Sequence, residues 1–288
     1  MPTPASAAQP GRASGASEAI FNAVLAVVRP GDEVIVLDPC YDCYEPAIDL
    51  AGGVCVHVPL NPVDFSVDWE RLQAAVTAKT RMIFINTPHN PSGALWSAED
   101  MQRLIALTRD TDILVLSDEV YEHMVFDDKR HESLCRYPEL VARTFVVSSF
   151  GKTYHVTGWK VGYVAAPSAL TKEFRKVHQF NVFTVNTPMQ YGLASYLADA
   201  AHYLNLSAFY QAKRDFFGAG LAKTRFKLLP TPGTYFQCAD YSALNIPEAK
   251  LNEADFCKWL TTKVGVAAIP VSAFYDQPTE SGVIRFCF

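Results

Sequence analysis

The sequence predicts an α/β fold, a mostly parallel sheet sandwiched by helices, with a smaller α+β domain at its C-terminal end. Three observations carry this expectation. Short apolar runs alternate with amphipathic segments of helical spacing. Several of those runs are apolar throughout, as strands covered on both faces must be. Beyond Ser168 the alternation gives way to mainly helical sequence, the mark of a change in architecture.

Residues 1–14 are rich in Ala, Pro, Ser and Gly, with one Arg and no acid. They are expected to be disordered, and they resemble neither a signal peptide nor a strong transit peptide. An amphipathic helix over Ala16–Val28 is closed by the breaker Pro30-Gly31, and Val34–Leu37 then reads as a buried strand. The alternation repeats as helix Glu45–Ala51, strand Val54–Val58, helix Trp69–Val76, strand Met82–Ile85, helix Ala98–Leu107 and strand Ile113–Leu116. Strand Thr144–Val147, a polar loop through Trp159 and strand Val161–Ala165 follow. The later strand signals, Thr234–Cys238 and Val283–Cys287, flank a helix at Glu253–Thr262. A large domain over 15–205 and a partial small domain over 206–288 are therefore expected.

At 288 residues the chain is long enough to bury a sizeable core. Its 49% apolar and 19% charged residues are ordinary for a globular protein, and no apolar run reaches the roughly 18 residues of a membrane span. A soluble, cytoplasmic protein with no membrane partner is expected. The net charge of -5 and the scattered Lys and Arg leave no basic footprint for nucleic acid. Seven cysteines lack metal-ligand spacing. The lone Cys40-x-x-Cys43 follows a strand-like run, so all seven read as reduced packing residues.

Sheets of this kind bind ligands beyond the carboxyl ends of their strands. The segments there are polar and specific: Asp38-Pro39-Cys40-Tyr41, Asn86-Thr87-Pro88-His89-Asn90-Pro91-Ser92-Gly93, Ser117-Asp118-Glu119-Val120-Tyr121, and Ser148-Ser149-Phe150-Gly151-Lys152-Thr153-Tyr154, followed by Gly158-Trp159-Lys160-Val161-Gly162-Tyr163. Lys152 is a candidate nucleophilic amine. Asp118 ends an apolar strand, where a bare carboxylate is costly to bury and needs a partner, whereas strand alternation turns Glu119 the other way. Gly15, Ala16 and Ser17 open a helix, where free N–H groups and the dipole favour an anion, although ordinary capping explains them equally well at this point.

Together with Arg285 in the terminal Ile-Arg-Phe-Cys-Phe run, these segments resemble fold-type I pyridoxal-phosphate enzymes, in particular class I/II aminotransferases. Within them the match is nearest to the methionine and kynurenine aminotransferase branch, and it runs from about Gly15 to the last residue. The resemblance implies pyridoxal 5'-phosphate as cofactor, with Lys152 as the residue that holds it covalently and moves the substrate proton. It pairs Asp118 with the pyridine nitrogen, and it directs Tyr121 and Asn90 to the phenolate oxygen. Gly15, Ala16, Ser17, Ser149 and Lys160 go to the phosphate, and Tyr41 to the ring face. Arg285, with Asn90 beside it, is the implied clamp for the substrate carboxylate. His89, His155 and Trp159 are further candidates for substrate contact.

The implied partners are an amino acid of the methionine, phenylalanine or kynurenine class, a 2-oxo acid, and a second copy of the chain in a homodimer. Against the family pattern, the chain lacks the segment that precedes the glycine-rich turn and the helix that follows the arginine strand, so it is expected to be shortened at both ends. A β-lyase acting on cysteine conjugates uses the same cofactor assembly, and a shortened, non-catalytic product is the reading from a different class.

Overall fold

The computed structural model describes residues 9–277, 279 and 281–288. The first seven strands are β1 (Gln9–Ala13), β2 (Glu33–Asp38), β3 (Val54–Pro59), β4 (Thr80–Asn86), β5 (Leu114–Asp118), β6 (Thr144–Ser149) and β7 (Gly162–Ala166). They form one sheet in the order β1-β7-β6-β5-β4-β2-β3. The neighbours from β3 through β6 run parallel, and β7 is antiparallel to both β6 and β1.

The β-branched and aliphatic residues of these strands explain both the sheet and its layers. Successive side chains point to opposite faces. Val34 and Val36 therefore pack with Phe84, Phe145 and Phe174 on one face, under α1 (Gly15–Val27), α2 (Tyr44–Leu50) and α7 (Ser168–Asn181). Ile35 and Leu37 pack with Ile83, Ile85 and Val115 on the other, under α3 (Trp69–Ala75) and α4 (Ala98–Thr108). Phe145 is fully buried, and truncating it to alanine would cost about 3–5 kcal/mol.

Between β5 and β7 lie the short helices α5 (Pro138–Val141) and α6 (Phe150–Thr153). After α7 the chain continues through α8 (Thr187–Tyr196), α9 (Ala201–Leu204) and α10 (Leu206–Leu221) into a second, antiparallel sheet. That sheet has the order β10-β11-β9-β8, built from β8 (Lys227–Leu228), β9 (Phe236–Asp240), β10 (Ile269–Pro270) and β11 (Val283–Cys287). Helix α11 (Glu253–Trp259) covers it, and Phe256 stacks on Tyr241 at 4.0 Å. Buried Glu253 accepts hydrogen bonds from the backbone N–H groups of Ser272 and Ser281 at 2.7 and 2.8 Å, fixing the turn Val271–Phe274.

One expectation is corrected. Gln9–Ala13, within the stretch expected to be disordered, is an edge strand paired antiparallel with β7, while residues 1–8 lie outside the described residues. Composition hides this strand because its order comes from its partner. Gly11 makes the close approach possible, since a Cβ there would lie 3.0 Å from Val164. The lysine segment, read as a polar loop, also contains a turn of helix at Phe150–Thr153, capped by the Ser149 hydroxyl, which accepts from Gly151 N–H at 3.0 Å.

Candidate active site

The carboxyl ends of β4, β5 and β6 deliver their polar residues to one place. Asp118, at the end of β5, is buried. Its Oδ2 accepts a hydrogen bond from the Tyr44 hydroxyl at 2.8 Å, and its Oδ1 accepts from Val120 N–H at 3.3 Å. Burial pushes the Asp118 carboxyl up to about 6, against the opposing pull of those two donors and the Lys152 charge. Glu119 points away, as alternation requires, and binds His131 at 2.8 Å and the Ser117 hydroxyl at 2.9 Å.

Asn86 ends β4 and organises the turn beside Asp118. Its amide donates to the Asp118 carbonyl at 2.8 Å, while its own carbonyl oxygen accepts from Asn90 N–H at 2.7 Å. Asn90 in turn accepts from Arg285 Nη1 at 2.5 Å, which joins the first sheet to β11. The Arg285 guanidinium is buried with its carbon 4.1 Å from the Phe236 ring centroid and 4.9 Å from that of Phe274. Its Nε has no hydrogen-bond partner among the described residues. A buried cation with a spare N–H is costly to leave so, and is suited to an anionic ligand.

Lys152 projects from α6 with its Nζ 5.9 Å from the Tyr121 ring centroid and 6.0 Å from that of Tyr235. Burial holds the Tyr121 phenol well above its ordinary range, so its hydroxyl remains a donor. At the opposite side, Gly15 opens α1 with φ +82°, and a Cβ there would come within 3.1 Å of both Lys160 Cε and Nζ. An ammonium and a helix N-terminus are thus brought together, leaving space only glycine provides.

A single cavity of about 470 Å³ is lined by every residue singled out for cofactor or carboxylate binding: Gly15, Ala16, Ser17, Tyr41, Asn90, Asp118, Tyr121, Ser149, Lys152, Lys160 and Arg285. His89, His155 and Trp159 are not among its lining residues. His89 is buried against Ser92 Oγ at 2.7 Å, with its pKa lowered by burial to about 4. Exposed His155 contacts the Tyr210 hydroxyl, and exposed Trp159 packs near Gly192. Sequence reasoning missed Tyr44, Asn86, Tyr235, Phe236 and Phe274. Asn86 stands at the head of a segment already singled out, and Tyr235-Phe236 is an aromatic pair at the start of a strand; neither pattern carries a role by itself. Burial raises the Cys40 and Cys43 thiols, in accord with a packing role, whereas Cys135 and Cys287 are exposed.

Residues 6–288 match the family of aminotransferases of class I and II. The chain belongs to that family. Class I and II aminotransferases use pyridoxal phosphate, and the mostly parallel sheet described above is theirs. The chain is 48% identical over 276 residues to the methionine aminotransferase of Escherichia coli (strain K12), covering 96% of this chain and 70% of the relative. It is 37% identical over 300 residues to kynurenine–oxoglutarate transaminase 3 of Homo sapiens, covering 95% and 66%. Among solved structures, N-succinyldiaminopimelate aminotransferase from Mycobacterium tuberculosis superposes with a TM-score of 0.92 at 38% identity, covering 97% of this chain and 73% of the other. The chain thus spans about two thirds of the length of the curated relatives it matches.

Proposed function

We propose that this chain, with pyridoxal phosphate bound, moves an amino group from a large neutral or aromatic amino acid of the methionine, phenylalanine or kynurenine class to a 2-oxo acid. One observation carries the proposal. A lysine amine, a buried carboxylate and a buried guanidinium with a spare N–H line a single cavity.

The site fits the cofactor group by group. Asp118 has tyrosine and backbone donors but no salt bridge among the described residues, so a protonated ring nitrogen would satisfy it. The space between Gly15 and Lys160 would take the phosphate, with the N–H groups of Gly15, Ala16 and Ser17 and the hydroxyls of Ser17 and Ser149 as further donors. Tyr121 and Asn90 would donate to the phenolate oxygen, the carbonyl of Asn90 being held by Arg285 and its amide left to act. Tyr41 would cover the ring. When bound, the cofactor supplies an electron sink that acidifies the substrate Cα.

The protein's own groups do the rest. Lys152 Nζ would hold the cofactor covalently, be displaced by the substrate amine, and then take the proton from Cα as base and give it up again as acid. Arg285, steadied between two rings, would grip the substrate carboxylate and orient Cα toward that amine. The three cations lining the cavity, Lys152, Lys160 and Arg285, are thereby all engaged. Among the described residues none remains for a side-chain carboxylate, while Ile269, Phe274 and Tyr235 offer apolar wall. This favours large neutral substrates, and the activities named for the Escherichia coli and human relatives point the same way.

A homodimer is part of the proposal. Phe180, Phe183 and Tyr191 lie 74–86% exposed on and after α7 and on α8, more apolar surface than scattered single residues leave on a monomer. Seven free thiols support a reducing, cytoplasmic setting. The deciding experiment adds pyridoxal phosphate to the purified chain and to Lys152→Ala, reduces with borohydride, and maps the adduct. A stable adduct on Lys152, absent from the variant, with amino transfer from methionine or phenylalanine to a 2-oxo acid, is expected; an equal adduct in Lys152→Ala would refute the assignment.

A further inference from the structure

We infer that Glu45, His57 and Asp276 form a site for a divalent cation of the zinc type, which fastens the turn carrying Phe274 to the edge of the first sheet. None of the three lines the cofactor cavity. Glu45 comes from the first turn of α2, His57 from the outer strand β3, and Asp276 from the segment between Phe274 and β11. Far apart in sequence, they form no spacing motif. The fold brings one ligand atom of each within 4.8 Å of the others.

The imidazole is held as that of a metal ligand is. Its Nδ1 lies 3.0 and 3.1 Å from the two carboxylate oxygens of Asp38. Asp38 is buried, and its Oδ2 also accepts from Asp276 N–H at 3.3 Å. A carboxylate only accepts, so Nδ1 carries the proton and Nε2 is the nitrogen left over. A carboxylate behind the non-ligating nitrogen fixes the rings of metal-bound histidines in this way. Nε2 is buried and has no hydrogen-bond partner among the described residues. Glu45 Oε1 stands 3.8 Å from it, too far for a hydrogen bond. Two ligands of one zinc ion, each about 2.0–2.2 Å from the metal, lie no more than about 4.4 Å apart, so the gap suits an ion between them.

Charge and access agree. Three carboxylates, Asp38, Glu45 and Asp276, surround one imidazole. A proton on Nε2 balances one of those charges but finds no acceptor within hydrogen-bond reach; a divalent ion balances two and bonds to all three ligands. Glu45 is partly exposed and Asp276 exposed, so both can swing inward and water can complete the shell. Imidazole with carboxylates suits zinc and its neighbours in the first transition row, and not calcium, which takes oxygen alone. The segment so fastened is already tied to the end of β2, where Cys40 N–H donates to the Phe274 carbonyl at 2.7 Å, and the Phe274 ring packs on Arg285. A cation here steadies a wall of the cavity without entering it.

Cobalt(II) is the probe, because its visible bands report coordination and a thiolate ligand adds a near-ultraviolet charge-transfer band. The chelator-treated full chain should be titrated as wild type, His57→Gln, Glu45→Gln, Asp276→Asn and Cys40→Ser, with thermal unfolding of each with and without metal. We expect a single cobalt ion without a thiolate band, displacement by zinc, and a higher thermal midpoint when either is bound. Loss of an outer carboxylate costs about 10- to 100-fold in metal affinity, so loss of a ligand should cost at least about 100-fold. Cys40→Ser should bind as the wild type does. Metal-free unfolding of Glu45→Gln and Asp276→Asn, changed at partly or fully exposed positions, should match the wild type and so separate lost ligation from lost folding. No bound cobalt, or an affinity unmoved by His57→Gln and Glu45→Gln, would overturn the site. A thiolate band that Cys40→Ser removes would put the ion on the adjacent cluster of Asp38, Cys40 and His57 and overturn this ligand set.

Discussion

Tyr44 and Asp118, 74 residues apart in sequence, are joined by a 2.8 Å hydrogen bond in which the phenol donates to carboxylate Oδ2. The bond opposes the burial that lifts the Asp118 carboxyl to about 6. Above that pH the group is an anion ready for a cationic ring; below it the charge is lost. Affinity of the cofactor-free chain for pyridoxal phosphate should therefore weaken as pH falls through about 6. Tyr44→Phe should move that midpoint upward. Absorbance titrations over a pH series measure both, and a flat profile between pH 5 and 7 would separate Asp118 from cofactor capture.

Removing the Asp118 charge altogether should be more severe. A buried ion pair broken on one side costs about 3–5 kcal/mol, so Asp118→Asn should weaken cofactor binding on the order of 10²- to 10³-fold. Thermal stability without cofactor should hold or rise, because the mutation also removes the burial cost of an anion. Calorimetry with and without pyridoxal phosphate distinguishes the two effects.

Arg285→Gln removes the cation from between Phe236 and Phe274 but leaves an amide near Asn90. Charge-assisted hydrogen bonds are worth about 1.5–3 kcal/mol each, so the amino-acid KM should rise roughly 10- to 100-fold. Cofactor affinity should change little. Steady-state kinetics with methionine, set beside cofactor titration, gives the comparison; an unchanged KM would remove Arg285 from substrate binding.

Gly15→Ala tests the space beside Lys160. The new Cβ would meet the lysine's last two atoms at 3.1 Å, on a backbone at φ +82°. Strain of about 1 kcal/mol or more is expected, together with weaker binding of pyridoxal phosphate and of inorganic phosphate as its competitor. Competition titrations would show whether both fall together.

His57 lies away from the cavity, between Asp38 at 3.0 Å and Glu45 at 3.8 Å. Its hydrogen bond to Asp38, then that to Cys55, raises its pKa from 6.5 to about 10. A base whose folded pKa is raised stabilises the fold fully below its unfolded value, so this contribution is present below pH 6.5 and is lost as pH rises toward 10. Asp38 also accepts from Asp276 N–H at 3.3 Å, so the loss falls where the first sheet meets the turn after Phe274. Urea unfolding of the metal-free chain from pH 6 to 10 should show a decline in the wild type that His57→Gln flattens.

The first sheet was legible because its strands are covered on both faces: short runs that are apolar throughout, such as Val34–Leu37, are what such strands require. The site was legible where one segment carries both the strand and its chemistry, as with Asp118 and Tyr121, or Asn90 in its turn. It was not legible where a residue meets a partner distant in sequence. Tyr44 reads as a helix residue until Asp118 is seen beneath it, and Tyr235 reads as core until Tyr121 is seen beside it. The edge strand Gln9–Ala13 was hidden for the same reason, since its order comes from β7 and not from its own composition.

The hydrogen bond from Arg285 to Asn90 closes a loop of 195 residues. Contacts of such long range are slow to form, because the ordering entropy of the intervening chain is lost before the contact rewards it. During synthesis, the lysine, the carboxylate and the phosphate cradle all emerge well before β11 does. On the proposed role of Arg285, the half-assembled pocket is unable to grip a substrate carboxylate until β11 docks.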